Sequence, residues 1–114
     1  MIRDYIEEIN AFEVWLETNY LAASSQLLWY KLMALCNKCG WAEWITVDNQ
    51  RLMVYIQART EKTLIAVRKN LIDSKLIEYK KGGKGCSNKY KMLSIVETKI
   101  MKTTKVVINC RDPK

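Results

Sequence analysis

Apolar residues recur three and four positions apart in four segments of the chain, a spacing that predicts four helices. The segments are residues 3–18, a stretch from Ser24 or Ser25 to Lys38 or Cys39, residues 49–57 and residues 61–74. Ser24 or Ser25, Asp48 and Thr60 are the expected N-caps, because their side-chain oxygens can accept a hydrogen bond from the first turn of a helix. Gly40 follows the second helix at the position that favours a left-handed residue.

The apolar side of each predicted helix gives the expected core. In the first helix, the glutamates Glu7, Glu8, Glu13 and Glu17 are expected mostly away from the apolar side. The residues expected to face inward are Tyr5, Ile6, Ile9, Phe12, Val14, Trp15 and Leu16; Leu28, Trp29, Leu32, Met33, Leu35 and Cys36; Leu52, Met53 and Ile56; and Leu64, Val67, Leu71 and Ile72.

Three shorter segments predict strands. Trp41–Val47 combines two tryptophans with β-branched residues, which favours a short strand. Leu76–Lys80 and Tyr90–Ile95 alternate around a loop rich in glycine and lysine, the pattern of a β-hairpin. A hairpin directly after two short helices joined by a tight turn is the wing of a winged helix-turn-helix.

The expected fold class is therefore mainly α with a small β-hairpin (α+β), a winged helix-turn-helix with an extra N-terminal helix. Residues 1–96 form this single domain, and residues 97–114 are expected to be a basic tail or linker. Within that tail, Val106–Ile108 can form a short strand.

The positive charge of the chain is concentrated in its second part. Residues 1–50 carry three basic and seven acidic side chains, a net charge of −4, whereas residues 51–114 carry sixteen basic and five acidic ones, a net charge of +11. This asymmetry favours a nucleic-acid binder over a protein that is merely basic and soluble.

The residues give no support for catalysis or for a cofactor. The chain has no histidine, which removes the commonest general base and a common metal ligand. Lys81–Ser87 lacks the spacing of a phosphate-binding P-loop. Cys36 and Cys39 form a C-x-x-C without a second close pair, so they are interpreted as small core residues and not as zinc ligands. The protein is expected to be neither an enzyme nor a metal site.

The N-terminal segment and the hydropathy of the chain bear on location. No apolar run approaches the ~20 residues that a membrane span requires. The acidic, amphipathic residues 1–8 are neither a secretion signal nor a transit peptide. The expected location is the cytoplasm, with no membrane partner.

Helix geometry predicts which side chains contact double-stranded DNA. In this motif the second helix enters the major groove, and a flexible Gly-Lys wing suits phosphate or minor-groove contact. The expected DNA-binding residues are Arg59, Lys62, Ile65, Ala66, Lys69, Asn70, Lys80, Lys81, Lys84 and Lys89. Arg68 shares a row with Leu64 and is expected to be half-buried or to bridge to an acid. The alternative for the wing lysines is a solvated hairpin tip.

Several aromatic residues can be weighed as base-stacking platforms of a single-strand binder. They stand where packing in the core or between subunits is the better interpretation. These residues are Trp15, Trp29, Trp41, Trp44, Tyr79 and Tyr90.

The stretch Phe12–Tyr90 resembles the N-terminal winged-helix domain of DnaD-like phage replication proteins, also called replisome organisers. The segments that carry the resemblance are Trp15–Leu21, Leu28–Trp44, Ala66–Ile72 and Leu76–Lys80, with Gly40-Trp41-Ala42-Glu43-Trp44 the most specific. The resemblance implies DNA binding, self-association as a homodimer or higher oligomer, and a role in replication initiation with a helicase loader or helicase as partner. It also implies a second, helical C-terminal domain, which residues 1–114 do not supply.

Two other functions remain open at this point. A transcriptional regulator shares the same fold, and a fold does not fix a function. A protein-interaction module that does not bind DNA would use Ile65 and Ala66, which are apolar at outward positions of the fourth helix.

Overall fold

The computed structural model describes residues 4–96. Its elements follow the order that the sequence predicts: α1 (Tyr5–Thr18), α2 (Ala23–Lys38), β1 (Ile45–Val47), α3 (Asn49–Ile56), α4 (Glu61–Asp73), β2 (Ile77–Lys80) and β3 (Asn88–Met92). The mainly helical α+β fold, a winged helix-turn-helix with an extra N-terminal helix, is confirmed. The predicted tail at 97–114, including Val106–Ile108, lies outside the described residues.

The core is centred on α2, which packs against α3, α4 and β3. Trp29 of α2 is fully buried and stacks on Phe12 of α1, with 3.9 Å between the ring centroids. The side chain of Tyr90 closes the core from the sheet side and is also fully buried. The extra N-terminal helix is therefore packed on the winged-helix core by an aromatic pair.

The three strands form one antiparallel sheet in the order β1-β3-β2. Tyr90, in the middle of β3, lies opposite Ile45 on one side and Tyr79 on the other. Side chains alternate between the faces of a sheet. Ile45, Ile77 and Tyr90 consequently face the helices, while Lys80 and Lys89 lie opposite each other on the outer face.

Two of the three predicted N-caps are confirmed. The Asp48 carboxylate accepts a hydrogen bond from the Arg51 N–H at 3.3 Å, and the Thr60 hydroxyl accepts one from the Thr63 N–H at 3.2 Å. The prediction of Ser24 or Ser25 as the cap of α2 is wrong. The cap is Ala22, which makes no side-chain capping hydrogen bond. Ser25 belongs to the first turn of α2, where its buried hydroxyl donates a hydrogen bond to α4.

Two strand boundaries differ from the prediction. The first strand covers only Ile45–Val47, because Gly40 and Trp41 adopt φ angles of 69° and 61°, a left-handed turn that an extended strand does not contain. Gly40 thus has the predicted left-handed conformation after α2. The last strand is Asn88–Met92 and not Tyr90–Ile95.

One acidic residue of α1 lies where the sequence does not place it. Glu8 was expected away from the apolar side, yet its side chain is 2% exposed. Its carboxylate accepts hydrogen bonds from the Ser94 hydroxyl at 2.5 Å and from the Ile95 N–H at 3.0 Å. These two donors compensate the burial of the charge. The expectation that Ile6 and Val14 of the same helix face inward is wrong, because they are 62% and 44% exposed.

The turn between α3 and α4 is fixed by the backbone. Gln57 ends α3 in a left-handed conformation with φ of 58°, and the Ala58 N–H donates to the Met53 carbonyl at 2.9 Å. This bond closes α3 in the manner of a Schellman motif. The turn leads directly to the Thr60 cap, which sets the start of α4 relative to α3.

Candidate nucleic-acid interface

The outer side of α4 is the first part of the candidate interface. Leu64, Val67 and Leu71 are buried against the core, so the opposite side of the helix faces solvent. The exposed side chains there include Lys62, Ile65 and Ala66, and Ile65 is 50% exposed although it is a large apolar residue. Arg59, in the turn before the helix, is exposed as well. The structure thus brings these four predicted residues to one end of one surface.

Lys69 and Asn70 are exposed but already engaged within the domain. The Lys69 ammonium lies 3.2 Å from the Asp73 carboxylate, one turn further along α4. The Asn70 amide donates a hydrogen bond to the Ser25 hydroxyl at 3.1 Å. Asn70 therefore points to the start of α2, at the edge of the exposed surface of α4. The assignment of both residues to DNA binding stays a prediction.

The wing lysines occupy different faces. Lys80 and Lys89 project from the outer face of the sheet, where the Lys80 ammonium lies 4.7 Å from the centre of the Trp44 ring. Lys81 lines the opposite side, towards α4, and Lys84 is exposed in the loop between the strands. The four predicted wing contacts therefore do not form one cluster: Lys80 and Lys89 are separated from α4 by the thickness of the hairpin.

Trp44 differs from the other aromatic residues named above. Trp29 and Tyr90 are fully buried, and Trp15, Trp41 and Tyr79 pack against the core. Trp44 is half-buried and is covered by Lys80, while the neighbouring Lys91 forms an ion pair with Glu43 at 3.1 Å. The interpretation of the aromatics as packing residues holds for the five that contact the core.

A cleft of about 700 Å³ separates α4 from the wing. It is bounded by side chains from the first turns of α3 and α4, by the middle of α4, by β2 and by the loop between β2 and β3. The residues that line it are Asp48, Asn49, Glu61, Ile65, Arg68, Tyr79, Lys81, Gly82, Gly83, Gly85, Cys86, Ser87 and Asn88. The cleft joins the exposed Ile65 to the wing loop.

Arg68 forms the inner wall of this cleft. Its side chain is more deeply buried than the half-burial expected from the sequence, at 6% exposed, and among residues 4–96 it makes no ion pair with an acid. One guanidinium nitrogen, Nη1, donates to Asn49 Oδ1 at 3.1 Å and to the Tyr90 hydroxyl at 3.0 Å. The guanidinium also lies 4.3 Å from the centre of the Tyr79 ring. Neutral groups therefore hold this buried cation.

Asn49 links the three elements that surround the cleft. Its Oδ1 accepts from Arg68 of α4 and from Asn88 of β3, each at 3.1 Å, and its amide donates to the Glu61 carboxylate at 2.9 Å. Asn88 in turn accepts a hydrogen bond from the Gly82 N–H at 2.9 Å. This chain of bonds fixes the position of the wing relative to α4.

The electrostatics of the cleft mix both signs. Arg68 and Lys81 contribute positive charge, and Asp48 and Glu61 contribute negative charge near the starts of α3 and α4. Burial raises the pKa of the Tyr90 hydroxyl above its ordinary value, although the nearby Arg68 cation acts in the opposite direction. Tyr90 thus stays protonated at neutral pH and accepts the Arg68 bond as a neutral phenol.

Sequence reasoning did not identify Asn49, Arg68 or Asn88 as site residues. Asn49 and Asn88 carry no periodic signal, and Arg68 stands among apolar positions of α4. The position of Arg68 on the row of Leu64 was the one signal for this site, because an arginine buried there requires an acceptor.

The cysteines do not pair as a buried unit. Cys36 is buried, but Cys39 is exposed, so the prediction that both are core residues is wrong for Cys39. The Cys39 position falls after α2 has ended, where the chain turns away through Gly40. In residues 4–96 no group of three or more acidic, cysteine or histidine side chains is arranged to hold a metal ion. Within the same residues no helix has the length and apolarity to cross a bilayer.

Comparison with known proteins gives likeness of fold. No protein-family model and no curated sequence matches the chain. A solved structure described as "N-Terminal domain of DNA binding protein" is similar with a TM-score of 0.53 and 16% identity, over 90% of this chain and 82% of that one. A second, described as "Structure of Rep-DNA complex", is similar with a TM-score of 0.53 and 16% identity, over 94% of this chain and 89% of that one. Both similarities concern nearly the whole domain.

Proposed function

We propose that this domain binds double-stranded DNA, with the exposed side of α4 in the major groove and the wing against the backbone. The observation that carries the proposal is the position of α4. It is the second helix of a helix-turn-helix, and it presents Lys62, Ile65 and Ala66 to solvent directly beside a Gly-Lys wing. Cations at its rim suit phosphates, and apolar side chains suit thymine methyl groups.

The two structural neighbours support this proposal. One is described as the N-terminal domain of a DNA-binding protein, and the other as part of a Rep–DNA complex. A chain of similar fold is therefore found in a complex with DNA, although a shared fold alone does not fix function. No catalytic role is proposed: the domain acts by binding, without a cofactor.

The more specific role that we propose is replication initiation in a phage or prophage. The resemblance of Phe12–Tyr90 to DnaD-like proteins supports it, and so does the neighbour described as a Rep–DNA complex. A helicase loader or a helicase is the corresponding protein partner. Preferential binding to a phage origin would support this role, whereas preference for a palindromic operator outside any origin would favour a transcriptional regulator.

Self-association is a further part of the proposed function. Ile6 and Val14 leave apolar surface exposed on α1, the helix that precedes the winged-helix core. A second copy is the proposed partner of this helix. Sedimentation of the full chain tests it: a monomer at the highest soluble concentration contradicts self-association.

Fluorescence anisotropy with a labelled duplex tests DNA binding. We expect wild-type affinity to fall steeply with salt, because each neutralised phosphate releases counterions. Lys62→Gln should weaken binding and lower the slope of log K against log salt by about 1. Lys38→Gln, a loss of the same charge at the end of α2, is the matched control and should change neither. Absence of salt-dependent binding to any duplex contradicts the proposal and leaves the protein-interaction module as the better interpretation of Ile65.

A further inference from the structure

We propose that the cleft between α4 and the wing is a phosphate-binding site, and that the Arg68 guanidinium holds a phosphate of the DNA backbone there. This inference deepens the proposed DNA binding and rests on it. It adds a site in which the central residue is buried, whereas the contacts on the outer side of α4 come from exposed side chains.

The unused hydrogen-bonding capacity of Arg68 is the main evidence. A guanidinium has five N–H donors, and the hydrogen bonds of Arg68 within residues 4–96 all start from Nη1. In this part of the chain, Nη2 and Nε have no acceptor, yet they are not among the fully buried polar atoms. Arg68 is only 6% exposed, and it lines the cleft. Its remaining N–H groups therefore open into the cleft.

A buried cation without a counter-charge is costly, and buried charges in proteins are normally paired. Asn49 and Tyr90 supply neutral oxygen acceptors, and the Tyr79 ring lies 4.3 Å from the guanidinium. These contacts orient the guanidinium without neutralising it. An anion entering the cleft would supply the missing charge, and a phosphate matches the planar fork of an arginine with two parallel hydrogen bonds.

The walls of the cleft leave room for a phosphate near the wing. Lys81 adds a second cation on the side of β2, and the loop contributes Gly83 and Gly85, beside which a Cβ would meet no atom within 4 Å. Ser87 lines the same side with a hydroxyl group. The wing side of the cleft thus combines a cation, a hydroxyl and, at Gly83 and Gly85, loop backbone with open space beside it.

The two carboxylates of the cleft restrict where the phosphate can lie. Glu61 is two turns before Arg68 on α4, roughly 10 Å along the helix axis, and its carboxylate already accepts from Asn49. Asp48 is occupied as the cap of α3. Both would repel a phosphate at the starts of α3 and α4, so the phosphate is placed between Arg68 and Lys81. The mixed charge thereby selects one position along the cleft.

Duplex binding by Arg68 variants of the full chain tests the site. Arg68→Gln should weaken binding about tenfold or more, in keeping with the loss of a charge-assisted pair, and should lower the salt slope by about 1. Arg68→Lys keeps the charge without the planar fork, so its affinity for the duplex should lie between those of the wild type and Arg68→Gln. Arg51→Gln is the matched control: it removes the same charge from an exposed position of α3. Unchanged affinity and slope in folded Arg68→Gln overturn the site.

A second measurement does not depend on duplex binding. Titration with inorganic phosphate should shift the NMR signal of the Arg68 Nε–H, and Lys81→Gln should weaken that shift. If phosphate leaves this signal unmoved in the wild type, the site is overturned. If the signal moves but no duplex binds, the site stands and the proposed DNA binding fails. If Arg68→Gln does not fold, Lys81→Gln and Arg68→Lys decide the outcome by the same two readouts.

Discussion

Asn49 Oδ1 accepts a hydrogen bond from Arg68 Nη1 at 3.1 Å, which joins the first residue of α3 to the middle of α4. The same oxygen accepts from Asn88 of β3. One amide oxygen therefore joins the two helices of the helix-turn-helix and also attaches the wing to them. The orientation of the wing therefore depends on a side chain that lies in neither the wing nor α4.

Asn49→Ala should lower the free energy of unfolding, because it weakens the contacts of α3 with α4 and with β3. It leaves Arg68 and Asn88 without their shared acceptor, and loss of a partner to buried polar groups costs about 1–3 kcal/mol of unfolding free energy. Urea unfolding followed by circular dichroism measures it. Gln50→Ala, at the exposed neighbouring position, is the control and should change the midpoint little. Equal midpoints for the two variants would contradict the linking role of Asn49.

Glycines in the wing loop should differ sharply in their tolerance of alanine. A Cβ on Gly82 would lie 2.3 Å from the Ser87 carbonyl oxygen and 2.4 Å from that of Cys86, so the backbone of the loop must move. We expect Gly82→Ala to cost about 1–3 kcal/mol, the range of overpacked sites, and to weaken duplex binding through the displaced wing. Gly83→Ala is the matched control, since its Cβ meets no atom within 4 Å. Thermal unfolding and anisotropy of both variants give the comparison, and similar results for the two would refute the close approach.

Ser25→Ala should weaken the contact between α2 and α4. The buried hydroxyl donates to the Val67 carbonyl at 3.1 Å and accepts from the Asn70 amide at 3.1 Å. Its removal should cost about 1–3 kcal/mol, whereas Ser24→Ala, one residue earlier and exposed, should be near neutral. A double-mutant cycle with Asn70→Ala measures the coupling. A coupling of zero would mean that the Asn70 bond contributes nothing.

Glu8→Ala should release the segment that follows β3 from α1. The Ile95 N–H and the Ser94 hydroxyl lose their acceptor, and hydrogen bonds to charged groups are worth about 1.5–3 kcal/mol each. Hydrogen exchange of the Ile95 amide should accelerate in this variant. Glu8→Gln keeps one oxygen acceptor and should have a smaller effect, and Glu7→Ala, at an exposed position, should have none. Unchanged Ile95 protection in Glu8→Ala would exclude this anchor.

Alkaline pH should destabilise the fold through Tyr30. Burial, together with the hydrogen bond to the Glu13 carboxylate and its charge, raises the pKa of Tyr30 from 10.0 to about 12. The folded state therefore favours the protonated phenol. The stability that this provides is complete below the ordinary pKa and is lost as the pH rises towards the folded value. Urea midpoints across this range should fall less steeply for Tyr30→Phe, and an identical slope would contradict the assignment.

The fold was predictable because its main signals are local. The caps Asp48 and Thr60 act on residues three positions away, and the apolar rows of α2 and α4 follow the helical period. What the sequence did not predict depends on distant partners. Ser25 bonds 42 positions away and Glu8 bonds 87 positions away. Partial burial of Arg68 was expected, but its neutral acceptor Tyr90, 22 positions away, was not. A periodic pattern assigns a polar residue to solvent, and only tertiary structure brings the acceptor or donor that allows its burial.

The same limit explains the candidate site. The outer side of α4 was predictable from helix geometry, which placed Lys62, Ile65 and Ala66 at exposed positions. The division of the wing lysines between two faces was not, because it depends on the register of β2 and β3. Lys80 pairs with Lys89, and the sequence alone does not show which residues of the two strands pair across the loop.

The central position of β3 has a consequence for synthesis of the chain. Within residues 4–96, β1 and β2 each pair with β3 and not with each other, yet β3 is the last of the three to leave the ribosome. Until residues 88–92 emerge, Ile45, Val47 and Ile77 have no strand to cover their backbone, and unpaired strands are prone to association. The helices can collapse early through contacts near in sequence. The domain is then expected to complete its fold in one late step, when β3 pairs with β1 on one side and with β2 on the other.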